Sequence, residues 1–221
     1  MARKQRNLRD PGRLSRPRGA GRRTGETGRG VLDDAGAILS AILDTLGRVR
    51  GEEVDALARA ILDARRVYVA GSGRSGLVSS CFAMRLVHLG LVAHVVGEAT
   101  APGVGRGDLL VVASGSGRTR TVRAQATAAQ SRGAHVAAVT ADARSPLARA
   151  ADLVVSIPCA PFAGATRRGP NAARGPSASA QPGGSLFEQS LLVFLDVMVL
   201  DLARRLGWSP ERLKRTHSNL E

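Results

Sequence analysis

Apolar residues recur three and four positions apart at Ile38, Leu39, Ile42, Leu43 and Leu46. That spacing predicts an amphipathic helix, with Asp33 or Asp34 as its N-cap. A second helix follows, carried by Val54, Leu57, Ile61 and Leu62. Then the period changes. The run "RVYVAGSGRSG" is short, rich in β-formers and ends in glycines. "SGLVSSCFAMRLVHLG" predicts a helix closed by Gly90, and "LVAHVV" a strand. The unit then repeats. "DLLVVA" is a strand, "TRTVRAQATAAQSRG" a helix ending at Gly133, and "AHVAAVTA" a strand. "SPLARAA" is a short helix with Ser145 as cap and Pro146 at its first position. "DLVVSIP" is the last strand. Residues 186–202 lie in a long helix that is apolar on most of its surface, and "SPERLKR" predicts a short final helix.

Two helices followed by five strands alternating with helices predict an α/β fold. Its sheet is expected to be parallel and covered on both faces. A helix as apolar as residues 186–202 has more apolar surface than one sheet can cover. An oligomer is therefore expected.

Composition changes this picture only at the edges. The chain has 221 residues and 43% hydrophobic content, enough for one domain with a sizeable core. No apolar run reaches the about 20 residues that a membrane-spanning helix needs. No apolar signal-type stretch follows the basic N-terminus. A soluble cytoplasmic protein is expected. The net charge of +14 invites a nucleic-acid reading, but its placement argues otherwise. Residues 1–30 carry net +8 and residues 162–184 net +3. Both segments are rich in Gly, Pro, Arg, Ser and Ala and are expected to be a disordered basic tail and a flexible insert. Residues 31–221, the insert included, are expected to be one domain, with few aromatics to stack on bases. Cys81 and Cys159 are too distant to suggest a disulfide framework or a metal site. Cys81 is expected to be a small buried group in its helix.

The chemistry concentrates in two glycine loops. In a parallel α/β sheet, ligands bind at the carboxyl ends of the strands, and both loops belong there. The first, Gly71-Ser72-Gly73-Arg74-Ser75-Gly76, matches G-x-G-x-x-G, with Glu98 at the end of the next strand. That is formally a dinucleotide pattern, and equally a tight turn that needs glycine. The second loop reads Ser114-Gly115-Ser116-Gly117-Arg118-Thr119. Three hydroxyls there surround a turn at a helix start, where free N–H groups converge and the dipole is positive. A phosphate would gain charge-assisted hydrogen bonds from amides and hydroxyls alike. The alternative is that Ser116 or Thr119 caps the helix. A dinucleotide site has no use for this second cradle.

"GSGRSG", "AMRLVHLG", Gly97, Glu98, Thr100 and Pro102, "GDLLVVASGSGRT" and "GSLFEQSLLVFLD" occur in that order. Over residues 34–221 the chain resembles the sugar isomerase (SIS) domain family, in its 6-phospho-3-hexuloisomerase branch. The resemblance implies a three-layer α/β/α sandwich, flavodoxin-like, with a five-stranded parallel sheet preceded by N-terminal helices. It also implies a homotetramer and interconversion of 3-hexulose 6-phosphate and fructose 6-phosphate. A 3-hexulose-6-phosphate synthase would be the functional partner, in formaldehyde fixation through the ribulose monophosphate pathway. Neither a metal nor an organic cofactor is implied. Alternatives are another sugar-phosphate isomerase of this fold, a non-catalytic sugar-phosphate-binding regulator and a nicotinamide oxidoreductase.

An isomerase of this kind needs one base to move a proton between neighbouring carbons and donors to steady the oxyanion. Glu188, in the first turn of the long helix, matches the family's "LFE" and is the candidate base; the alternative is a capping glutamate. His217 matches a histidine near the family's C-terminal end and is the second catalytic candidate, in its own or a neighbouring subunit. The candidate substrate-binding residues are Ser72, Gly73, Arg74, Ser75, Glu98, Thr100, Ser114, Gly115, Ser116, Gly117 and Thr119. Thr140, at the end of the fourth strand, has a weaker claim. His88, His94 and His135 are read as structural.

Overall fold

A computed structural model describes residues 24–159, 181 and 183–208. The chain divides after Gly36, inside its first helix, into the units Met1–Gly36 and Ala37–Glu221. Apart from the start of the first helix, the account below concerns the second unit.

Helix α1 (Thr24–Leu46) and helix α2 (Gly51–Asp63) precede the sheet. Then come β1 (Arg66–Gly71), α3 (Arg74–His88), β2 (Ala93–Val95), β3 (Asp108–Ala113) and α4 (Arg120–Gln130). The order closes with β4 (His135–Thr140), α5 (Pro146–Ala150), β5 (Leu153–Ser156) and α6 (Ser185–Arg205). The strands form one sheet in the order β2-β1-β3-β4-β5, every pair parallel.

Period-2 alternation sends each strand's side chains to two cores. Val67, Val69, Leu109, Val111, Ala137 and Val139 face one layer, where Leu57 and Ile61 of α2, Phe82 and Leu86 of α3, and Leu191, Phe194 and Met198 of α6 pack. Tyr68, Ala70, Leu110, Val112, Val136 and Ala138 face the other, with Val122 and Ala126 of α4 and Leu147 of α5. Burying each large aliphatic side chain contributes about 2 kcal/mol. The result is a three-layer sandwich around a sheet buried on both faces.

Three expectations need correction. Helix α1 begins at Thr24, ahead of Asp33 and Asp34, so residues 24–30 are helical rather than part of a disordered tail. Once a helix is nucleated, each further residue adds a hydrogen bond at little cost, and an amphipathic segment can carry a polar one with it. Strand β2 keeps only three residues of "LVAHVV". It is an edge strand with β1 as its sole partner. Cys81 is exposed, because Ser79, Phe82, Ala83 and Leu86 take the inner face of α3. Residues 1–23, most of the insert 162–184, the segment "SPERLKR" and His217 lie outside the described residues.

The end of the sheet away from the glycine loops is tied by a buried carboxylate. Asp108 accepts from Arg66 Nη2 at 2.7 Å, from Arg65 Nε at 3.2 Å and from the Gly105 amide at 2.8 Å. Burial pushes this carboxyl up, but the hydrogen bonds from Arg66, Gly105 and Arg65 outweigh it and hold it below its ordinary value.

Candidate active site

From β1 the chain proceeds outward to β2, whereas β3 returns to the other side of β1. Their exit loops therefore diverge and leave a crevice at the carboxyl edge, where doubly wound sheets bind ligands. The loop after β1 closes tightly. A Cβ on Gly71 would lie 2.8 Å from the Gly76 amide nitrogen, so this glycine pair lets α3 start directly against the strand. Gly73, with φ +59°, is the N-cap of α3.

The loop after β3 is wired internally. Ser114 N donates to Val139 O at 3.0 Å, which fixes the loop to β4. Ser114 Oγ accepts from the Gly117 amide at 3.2 Å and shares a hydrogen bond with Thr119 Oγ1, also 3.2 Å away. Ser116 Oγ accepts from the Arg118 amide at 3.2 Å. Thr119 occupies the N-cap position of α4, yet its hydroxyl makes no cap bond. The hydroxyls thus brace the turn, and among the described residues no side chain caps the first-turn amides of α4. Free amides at a helix start are what an anion site would require.

A cavity of about 650 Å³ opens between the loops, within the usual range for small-molecule sites. Ser72 and Ser75 line it from the first loop, and Ser114, Gly115, Ser116, Arg118 and Thr119 from the second. Ala141 and Asp142 follow β4, and Gly184, Phe187 and Glu188 come from the start of α6. Phe187 is buried, and a Cβ on Gly115 would come within 3.0 Å of its ring. Glycine there lets α6 close on the loop.

Glu188 is mostly buried, with its side chain 19% exposed, and Oε2 lies 3.2 Å from Arg74 Nη1. The same Nη1 donates to Ser185 Oγ at 3.2 Å. Arg74 thus stands beside the carboxylate, linking the first loop to α6. Gly117 lies behind the cradle, against Ser145. Glu98 and Thr100 are exposed in the turn after β2 and are not among the residues that line the cavity. Thr140 is buried and donates to Gly115 O at 3.3 Å, supporting the loop from beneath. Arg118 and Asp142 did not follow from the loop reasoning. Arg118 sits inside the quoted motif, and Asp142 two residues past Thr140, so only their separation in sequence concealed them. Among the described residues, no group of three His, Cys, Asp or Glu side chains is placed to hold a metal ion.

A family model described as the SIS domain matches residues 60–169. The 3-hexulose-6-phosphate isomerase of Bacillus subtilis (strain 168) is 39% identical over 83% of this chain and 95% of its own length. The chain belongs to the SIS domain family. The 3-hexulose-6-phosphate isomerase of Mycobacterium gastri is 42% identical over 88% of this chain and 93% of that protein. A solved structure of a hypothetical protein from Methanococcus jannaschii, for which a molecular function of 3-hexulose-6-phosphate isomerase was inferred, superposes with a TM-score of 0.67. It is 28% identical and covers 86% of this chain and 98% of its own. The five-stranded parallel sheet and its flanking helices are those of the SIS fold.

Proposed function

We propose that this chain is an isomerase interconverting 3-hexulose 6-phosphate and fructose 6-phosphate. One observation carries the reading: a mostly buried carboxylate, Glu188, lines the same cavity as an uncapped helix N-terminus ringed by Ser114, Ser116 and Thr119. The relatives named as 3-hexulose-6-phosphate isomerases support the choice of substrate.

The phosphate binds the cradle and fixes the sugar chain, which lowers the entropic cost of alignment. Glu188 takes the proton from C2 of the 3-ketose. The electron pair forms the C2–C3 double bond of an enediolate, with charge on the former carbonyl oxygen. Arg74, beside Glu188, steadies that charge. A proton passes between the two oxygens, a step for which His217 is the candidate. Glu188, whose proton exchanges with solvent in a fraction of turnovers, then delivers a proton to C3, leaving the carbonyl at C2. No oxidant is consumed. Ser72 and Ser75 face the sugar hydroxyls.

The exposed apolar side chains of α6 and α3 support assembly as a homo-oligomer, for which a tetramer is the proposed form. A cytoplasmic location and a 3-hexulose-6-phosphate synthase partner, fixing formaldehyde onto ribulose 5-phosphate, complete the reading. The test couples the purified protein to such a synthase supplied with formaldehyde and ribulose 5-phosphate. Fructose 6-phosphate should accumulate. Binding of sugar phosphate with no product would instead identify a sensor.

A further inference from the structure

Arg118 and Asp142 form an ion pair on the wall of the cavity, between the loops that follow β3 and β4. Arg118 Nη2 donates to Asp142 Oδ2 at 3.2 Å. Both ends are mounted. The Arg118 amide is held by Ser116 Oγ. Asp142 Oδ1 accepts from the Arg144 amide at 2.9 Å, and the Asp142 amide donates to Thr140 Oγ1 at 3.3 Å. Thr140 is in turn bonded to Gly115 O, so the carboxylate and the cradle share one frame.

The pair does little for the fold. The side chains are 64% and 36% exposed, and such surface pairs contribute little to stability. Its place is more informative than its strength. A guanidinium presents donors on two edges, and among the described residues only Nη2 of Arg118 is engaged. Nε and Nη1 remain to meet an anion. A free arginine side chain would have to be ordered when the ligand arrives, and holding it beforehand removes part of that cost. The opposing effect is repulsion between the carboxylate and a dianion in the same cavity.

We propose that Asp142 is a positioning residue that presets Arg118 as a clamp on the phosphate group of the substrate. Asp142 therefore strengthens phosphate binding through Arg118 and weakens it when Arg118 is absent. The proposal rests on the anion-cradle part of the functional reading.

The test is titration calorimetry of the full chain with inorganic phosphate and with fructose 6-phosphate. Four proteins are compared: wild type, Arg118→Ala, Asp142→Asn and the double variant. Asparagine can still accept from the Arg144 amide, and thermal midpoints check that each protein is folded. Arg118→Ala should raise Kd about tenfold or more, the loss expected for one charge-assisted contact. Asp142→Asn should raise Kd about threefold beside Arg118 and lower it in the Arg118→Ala background. Arg118→Lys, which keeps the charge without the fork, should fall between wild type and alanine. Asp142→Asn tightening or leaving binding unchanged in both backgrounds would overturn the proposal, as would unchanged Kd in Arg118→Ala. Phosphate coupling of the expected sign with no isomerase turnover would remove the functional reading and leave the clamp. Turnover without the coupling would do the reverse.

Discussion

At Gly117 the chain takes φ +58°, and a Cβ there would lie 2.0 Å from Ser145 Oγ. Both facts exclude a side chain: the left-handed region disfavours one, and Ser145 is fixed because its Oγ accepts from the Ala148 amide to cap α5. Gly117→Ala should cost about 2 kcal/mol or more in urea unfolding, and should also displace the Ser114 and Thr119 hydroxyls that its turn holds. Unchanged stability and unchanged phosphate affinity would mean that the loop is more pliant than this packing implies. At this scale the sequence was readable where residues act within one turn. The hydroxyls of Ser114, Ser116 and Thr119 sit within six positions, and their shared purpose follows from spacing. Arg118 and Asp142 are separated by 24 residues, and Arg74 and Ser185 by 111. The first pair becomes visible only once β3 and β4 are known to be neighbours, the second only once α6 is known to pack on α3.

Among the elements, β3 has the limits that its apolar run predicts. All six of its residues are buried, and an apolar run bounded by Gly107 and Ser114 leaves little choice. The edge strand β2 is shorter than its apolar run predicts, because one-sided pairing ends sooner than the run does. Helix α1 starts earlier than the apolar spacing predicts, because no side-chain pattern marks where a polar, glycine-rich helix starts. Asp108 ties the start of β3 to Arg66 of β1 by chemistry that the pattern does not show. Its carboxyl is held below the ordinary value in the fold. A group depressed in this way contributes stability above its unfolded pKa, near 4, and loses it as pH falls through the lower folded value. Asp108→Asn should therefore lower stability by about 3 kcal/mol at pH 7, the scale of a broken buried pair. The gap from wild type should narrow below about pH 4. Urea unfolding of both proteins across pH 2.5–7 checks this, and a gap that stays constant with pH would contradict it.

Over the whole molecule, the sheet consumes the apolar surface of α6 only in part. Leu191, Phe194, Leu195, Met198 and Leu202 are buried, whereas Val197 and Leu200 remain 50% and 60% exposed. On the neighbouring α3, Leu77, Cys81 and Met84 are exposed one or two turns apart. A patch of this kind is unusual on a monomer, and a second copy of the chain is the proposed cover. Light scattering should give a multiple of the 23.0 kDa chain mass, and Val197→Asp should shift it towards the monomer. A monomeric wild type at micromolar concentration would remove the oligomer from the account. The proton transfer assigned to Glu188 can be followed more directly. Fructose 6-phosphate is incubated with the protein in D2O, and the C3 proton is observed by NMR. Wild type should exchange it for deuterium, while folded Glu188→Gln should be slower by roughly 10²–10⁴-fold, the usual contribution of a positioned base. Exchange at the wild-type rate in Glu188→Gln, or none in wild type, would contradict the central claim.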